Sequence, residues 1–197
     1  MPALPQFLAQ YPDLKVDVSL TNRMVDLIEE RVDAVVRIGM GRDSSLIMQP
    51  LAMAKFIVCA ASSYLERYGT PQAIADLKNH NCLAFISAWT GKSYDWRFQQ
   101  EGEEILQPVQ GNIRLENGEA LLETAIAGVG IAQLYNYVAA QAIADGKLKP
   151  ILQNVAPPGA PISVVYPQKR HLSAKVHVFV EFMQVLMAQL KQKEIVY

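Results

Sequence analysis

Thr21 and Asn22 stand where an alternating run, Val16-Asp17-Val18-Ser19-Leu20, gives way to Met24, Leu27, Ile28 and Val32 at helical spacing. A strand that runs into a helix start presents free backbone N–H groups. With the Thr21 hydroxyl, those groups can hold a carboxylate or phosphate. The same pair also reads as a plain N-cap, which contributes about 1 kcal/mol. Asp33-Ala34-Val35-Val36-Arg37-Ile38 is a second apolar run, and it ends in Gly39 and Met40. Glycine at such an end lets a ligand approach the backbone, and it equally serves a tight turn. Ser87 and Trp89 follow another apolar run, Cys82 to Ile86. Gln133 interrupts Ile131 to Leu134, where an amide either reaches a ligand or caps a sheet. Tyr166 closes the run from Ile162, as a ligand contact or as core packing with its hydroxyl satisfied. Arg37 lies in an apolar strand, where an unpaired charge is costly, so a structural ion pair is expected, with Asp33 on the same strand face, and contact with an effector anion is the alternative.

No catalytic constellation joins these residues. The chain has no GxSxG, no P-loop and no GxGxxG after a strand, and Gly128-Val129-Gly130 lacks a third glycine. Glu29-Glu30 and Glu103-Glu104 are neighbours that point apart, which suits solvated faces rather than a carboxylate pair. Cys59 and Cys82 form no CxxC and sit among apolar residues, as buried thiols do. His80, His171 and His177 show no zinc spacing. The reading is therefore a protein that is not an enzyme, with no cofactor and no metal. The formal charge of −1 argues against direct contact with nucleic acid. No apolar run spans a membrane and no secretory signal is visible.

The elements that must position these residues alternate between helix and strand. Residues 12 to 39 read as a βαβ unit with parallel strands, whose carboxyl ends at Leu20-Thr21-Asn22 and Gly39-Met40 would face a ligand. A helix covers 4 to 10. Residues 46 to 60 are extended and broken at Pro50. A capping box at Ser63–Glu66 starts a short helix that stops near Gly69, and Thr70-Pro71 opens the next. Trp96-Arg97-Phe98 and Ile105-Leu106 flank a hairpin turn. Ile113 to Leu115 is a strand, and Asn117 caps the helix after it. A strand over Ile131 to Leu134, a helix and strand over 137 to 152, a strand from Ile162 to Tyr166 and a helix from Ser173 to Leu190 complete the chain. At 197 residues and 51% hydrophobic composition the chain can bury a sizeable core. The order implies an α/β protein of two lobes, crossed twice by the chain, with a cleft suited to a small ligand.

Leu4-Pro5-Gln6-Phe7-Leu8-Ala9-Gln10-Tyr11-Pro12, with Val16-Asp17-Val18 after it, resembles the opening of the effector-binding domain of LysR-type transcriptional regulators. Val25 to Glu30 running into Asp33 to Gly39 resembles it too, as do Val58 to Leu65 with Gly69-Thr70-Pro71, Ala127 to Ala132, and Gly146-Lys147-Leu148. The match is strongest to the subgroup whose strand ends in Arg-Ile-Gly. The resemblance implies a periplasmic-binding-protein-like fold, each lobe a mixed sheet flanked by helices and joined by two crossing strands. Lobe I would comprise 1–54 plus 161–197 and lobe II 55–160. The family's first strand and its winged helix-turn-helix are missing from this sequence, so DNA would be met only through that missing domain. The expected partners are a small carboxylate or aromatic effector, held by Thr21, Asn22, Gly39, Met40, Ser87, Trp89, Gln133 and Tyr166, and further copies of the chain. The homodimer surface would be the exposed side of the Leu4 to Tyr11 helix and the strand Val16 to Leu20. The alternatives are a solute-binding protein of a transport system with the same fold, and an enzyme built on it.

Overall fold

The computed structural model describes residues 3–23, 25–39, 45–87, 90–157, 159–168 and 173–197. Met40 and Trp89 lie outside the described residues. The chain divides into two units, Met1–Met53 with Ala160–Tyr197, and Ala54–Gly159.

In the first unit, helix α1 covers Leu4–Gln10 and buries Phe7. Strand β1 is Val35–Ile38 and strand β2 is Leu46–Ala54, which ends one residue into the second unit. The βαβ expectation fails here. Residues 16 to 20 form no strand, and Val18 and Leu20 are 49% and 80% exposed. The expected helix is a single turn. Its first N–H groups, those of Ile28 and Glu29, donate to the Asp26 carboxylate at 2.9 and 3.0 Å. Arg31 ends it at φ +55°. The physical reason is burial: Leu27 is buried, whereas Ile28 is exposed, so the apolar stripe has too little to pack against. Arg23 and Glu30 clasp the turn as a surface ion pair, which depresses the Glu30 carboxyl chiefly through the Arg23 hydrogen bond.

Strand β1 pairs antiparallel with a late strand, Val35 opposite Val165 and Ile38 opposite Ile162. Asp33 pairs with Lys175 at 2.6 Å, and the Arg37 guanidinium donates to the Val25 carbonyl at 3.3 Å, so the expected Asp33–Arg37 pair does not form. Strand β2 runs straight through Pro50. It lies at the end of its sheet's strand order, where a missing N–H is tolerated.

The second unit opens with β3, Phe56–Ala60, and α2, Ser62–Tyr68. No side chain caps α2, so the Ser63 capping box does not form. Gly69 stops α2 at φ +83° as expected. Thr70 caps nothing either. The next element is a 3-10 turn, Ile74–Asn79, and the Asp76 carboxylate accepts from the Gln72 and Ala73 N–H groups, both at 2.9 Å. Then come β4, Cys82–Phe85; β5, Trp96–Gln100; β6, Glu103–Gln107; and β7, Arg114–Leu115. The β5–β6 turn places Glu101 at φ +54° and Gly102 at +85°, the handedness a two-residue hairpin loop requires. Helix α3, Gly118–Ile126, begins where Asn117 accepts from the Ala120 N–H at 2.9 Å, as the sequence predicts. Strand β8, Ile131–Tyr135, helix α4, Asn136–Ala144, and strand β9, Lys149–Ile151, complete this unit.

Its five-stranded sheet runs β7-β4-β8-β3-β9. Strand β4 is parallel to β7 and β8, and β3 is antiparallel to β8 and β9. Alternate residues feed two cores. Val58, Ala60, Cys82 and Ile131 join Tyr64, Leu77, Trp96 and Phe98, whereas Cys59, Leu83, Ala132 and Leu134 join Leu121, Ala125 and Ala139. Gly130 admits the close approach of β4: a Cβ there would lie 2.3 Å from the Asn81 carbonyl oxygen. Both thiols are fully buried, and burial pushes each up to about 12. The chain then returns to the first unit, where β10, Ala160–Pro167, is central in the order β1-β10-β2. Helix α5, Ala174–Gln192, packs Phe179 and Phe182 against Phe7 at ring centroid distances of 5.9 and 4.9 Å.

Candidate functional site

With β1 antiparallel to β10, the strand-end rule that nominated Thr21 and Asn22 applies instead to the second unit, whose parallel strands are β7, β4 and β8. At the carboxyl end of β4, Ser87 begins a tight loop. Its N–H donates to the Lys92 carbonyl at 2.9 Å, and its own carbonyl accepts from Gly91 at 2.8 Å. The Ser87 hydroxyl accepts from the Thr90 N–H at 3.3 Å. Tyr94 returns to the same end, where its N–H donates to the Phe85 carbonyl at 2.9 Å.

At the carboxyl end of β8, Tyr135 lies opposite Phe56, the first residue of antiparallel β3. Their rings stack at 4.3 Å and 19°, and Tyr137 continues the column at 5.8 Å and 14°. Asn136, between the two tyrosines, brackets the peptide of Lys55. Its N–H donates to the Lys55 carbonyl at 2.7 Å and its side-chain oxygen accepts the Lys55 N–H at 2.9 Å. Burial raises the Tyr135 hydroxyl, and the charge of Arg97 pulls the other way. Burial, with Tyr135 beside it, pushes Tyr137 up to about 12.

Gln133 faces the β5–β6 hairpin by strand alternation. Its Oε1 accepts the Arg97 N–H at 3.0 Å and its Nε2 donates to the Arg97 carbonyl at 2.8 Å. That is the sheet-capping role: the amide stands in for a neighbouring strand, and a ligand would compete with both bonds. In the first unit, the Thr21 hydroxyl accepts the Arg23 N–H at 3.2 Å in a local turn rather than at a helix start. Asn22 is exposed beside it. Gly39, at φ +94°, donates its N–H to the Pro161 carbonyl at 2.9 Å. Tyr166 is buried on β10.

The structure thus brings together Ser87, Tyr94, Phe56, Tyr135 and Tyr137 around the strand ends of one unit. Thr21, Asn22, Gly39 and Tyr166 belong to the other unit. Sequence reasoning missed the four aromatic residues. The spacing Tyr135-Asn136-Tyr137 just past an apolar strand was the available signal. The partnership with Phe56 depends on strand order, which no local pattern carries. Among the described residues no His, Cys, Asp and Glu group could hold a metal ion, and no helix is long and apolar enough to cross a membrane.

Mixed sheets flanked by helices, in two units through which the chain passes and returns, define a ligand-binding domain of the periplasmic-binding-protein-like class. The chain belongs to a family within that class, the LysR substrate binding domain, whose model matches residues 1–188. An uncharacterized HTH-type transcriptional regulator of Haemophilus influenzae is 34% identical over 175 residues, 89% of this chain and 60% of that protein. The HTH-type transcriptional activator TtdR of Escherichia coli is 30% identical over 183 residues, 92% of this chain and 58% of that protein. The chain therefore spans about 60% of the length of the curated relatives it matches. The regulatory domain of CrgA from Neisseria meningitidis, a LysR-type transcriptional regulator, superposes with a TM-score of 0.84 at 27% identity, covering 94% of this chain and 90% of that one. The regulatory domain of AphB in Vibrio vulnificus gives 0.78 at 25% identity, with the same coverage.

Proposed function

We propose that this chain is the effector-sensing domain of a LysR-type transcriptional regulator of the bacterial cytoplasm, and that a small organic effector biases its conformational ensemble by binding one state better. The family match over residues 1–188 is the observation that carries this reading. The sensing lobes run over 1–54 plus 161–197 and over 55–160. Ser87 remains the best-placed of the residues singled out in the sequence, with Trp89 adjoining it in the chain. Thr21, Asn22, Gly39, Met40 and Tyr166 form a second set, and Gln133 supports the site from behind. DNA is contacted through a helix-turn-helix segment outside this chain, and the regulator works as a homodimer. Exposed Leu8, Val16, Val18 and Leu20 on and after α1 supply an apolar surface for that pairing.

Catalysis is not part of this reading. The relatives named above are transcriptional regulators, and the singled-out residues include no nucleophile activated by a base. A thermal-shift screen of small carboxylates and aromatic acids tests it. A ligand at a hundred times its Kd stabilises the native state by about 2.7 kcal/mol and raises the melting temperature. No shift from any compound, or steady turnover of one, would count against sensing.

A further inference from the structure

Strand β1 stands at the end of the order β1-β10-β2, so one of its edges has no neighbouring strand. The Gly39 N–H donates to the Pro161 carbonyl at 2.9 Å, and that bond fixes the phase of the ladder. In this phase Val35 and Arg37 turn their N–H and C=O groups toward β10, and Val36 and Ile38 turn theirs outward. Among the described residues, no group bonds the outward N–H and C=O of either residue. Val36, midway along this edge, is 42% exposed, so water reaches it. A bare edge of this kind is a template for an added strand.

The same unit carries a segment with the pattern of a strand and no ladder. Val16, Val18 and Leu20 are exposed, and Asp17 and Ser19 alternate with them. Laid antiparallel on β1 with Val18 opposite Val36, this segment matches β1 along its length. Val16 meets Ile38 and Leu20 meets Ala34 on one face, while Asp17 meets Arg37 and Ser19 meets Val35 on the other. Apolar pairs and a pair of opposite charges both favour such a ladder. Among the described residues, no carboxylate pairs with Arg37 and no cation with Asp17; the Arg37 guanidinium donates to the Val25 carbonyl at 3.3 Å. Pairing β1 with β1 of another copy would set Arg37 against Arg37 or Val35, without a carboxylate. In the single chain the segment and the edge do not pair, so the strand that fits comes from a second copy.

We infer that two copies of this chain pair by strand exchange, with residues 16–20 of each added antiparallel to the β1 edge of the other. Each copy carries both halves of the contact, so a two-fold pair closes with two identical ladders and leaves neither half bare. The inference rests on the homodimer proposed above and names the contact that holds it.

Disulfide trapping of the 197-residue chain tests it. Val18→Cys and Val36→Cys chains, mixed in equal amounts, should cross-link on mild oxidation, and neither should cross-link alone, because the register sets residue 18 opposite residue 36 of the other copy. Native Cys59 and Cys82 are fully buried and stay out of the reaction. In sedimentation, Val36→Pro should weaken dimers about tenfold or more, since it removes an outward N–H and leaves the bonds to β10 in place. Asp17→Arg should weaken them about threefold or more, and Asp17→Arg combined with Arg37→Asp should restore them. Cross-linking of Val18→Cys with itself, wild-type association in a folded Val36→Pro chain, or a monomer at every concentration would overturn the inference. The cysteine pair replaces two exposed valines, so the trapping result stands even if Val36→Pro or Arg37→Asp misfolds. Dimers without the mixed cross-link would refute strand exchange and leave the homodimer and sensing intact. A failed thermal-shift screen would strike at sensing itself.

Discussion

Gln133→Met separates what the amide does from what the side chain fills. The substitution keeps length and unbranched shape and removes two hydrogen bonds, those at 3.0 and 2.8 Å to the backbone of Arg97. In the hairpin register Gln100 lies opposite Glu103 and Arg97 opposite Leu106, and the alternation turns the N–H and C=O of Arg97 away from β6. Without Gln133 those two groups have only water. Each bond contributes a net 0.5–1.5 kcal/mol or about that, and a stranded buried partner costs about 1–3 kcal/mol more. Arg97 is half-buried, so water recovers part of the second term. The expected loss is about 2–4 kcal/mol. Urea unfolding followed by far-UV circular dichroism reads the total, and native-state hydrogen exchange reads the Arg97 amide directly. Gln133→Glu should fall between Met and wild type, because a carboxylate accepts the Arg97 N–H but meets the Arg97 carbonyl with like partial charge. A Gln133→Met chain within about 0.5 kcal/mol of wild type, with unchanged exchange at Arg97, would refute the edge-capping account. Gln133 would then be available as a direct effector contact.

Two further outcomes are expected. The buried Cys59 and Cys82 ionise near 9 in an unfolded chain but are pushed up to about 12 when folded, so their contribution to stability is complete below pH 9 and is lost as pH rises toward 12. At pH 10 this amounts to about 1 kcal/mol per thiol. Chemical denaturation from pH 8 to 10.5 should therefore give a shallower decline for Cys59→Ala than for the parent, and parallel declines would reject the assignment. Leu20→Asp places a charge on the proposed pairing surface, at a residue 80% exposed in the single chain. Losing one buried leucine at an interface removes about 1.5–3 kcal/mol, so sedimentation should show dimers weakened about tenfold or more. Unchanged association would move the dimer surface elsewhere.

The elements the sequence placed well carry their instructions locally. Asn117 caps α3 because its side chain reaches an N–H three residues on, and Gly102 marks the hairpin turn because glycine adopts φ +85° without strain, while Glu101 is held at +54° beside it. The final helix announces itself through Val176, Val180, Met183 and Met187 on one face, all buried. Where the reading failed, the decisive partner was distant. Val16, Val18 and Leu20 alternate as a strand should, yet no described strand pairs with them, and alternation without a ladder leaves three exposed side chains. Ser63 and Glu66 satisfy a capping-box spacing, but the helix starts at Ser62 and the box falls out of register. Asp33 and Arg37 share a strand face, but Lys175, 142 residues on, reaches Asp33 from α5.

The site shows the same division. The rule that ligands gather at the carboxyl ends of parallel strands is sound, but it needs strand direction, and direction is a property of pairs. Misreading β1 as one half of a crossover sent that rule to Thr21 and Asn22. The actual parallel neighbours, β4 and β8, send it to Ser87 and Tyr135. Phe56 joins them only because β3 runs the opposite way, which brings its first residue level with the last of β8. Antiparallel pairing therefore adds to the parallel-strand site: it delivers a strand's beginning, with a different set of residues, to the edge where its neighbour's end already lies. A pair of residues drawn from the beginning of one strand and the end of another has no contiguous motif. Phe56 and Tyr135 stand 79 positions apart in the chain, so only the strand pairing, and no local pattern, joins them.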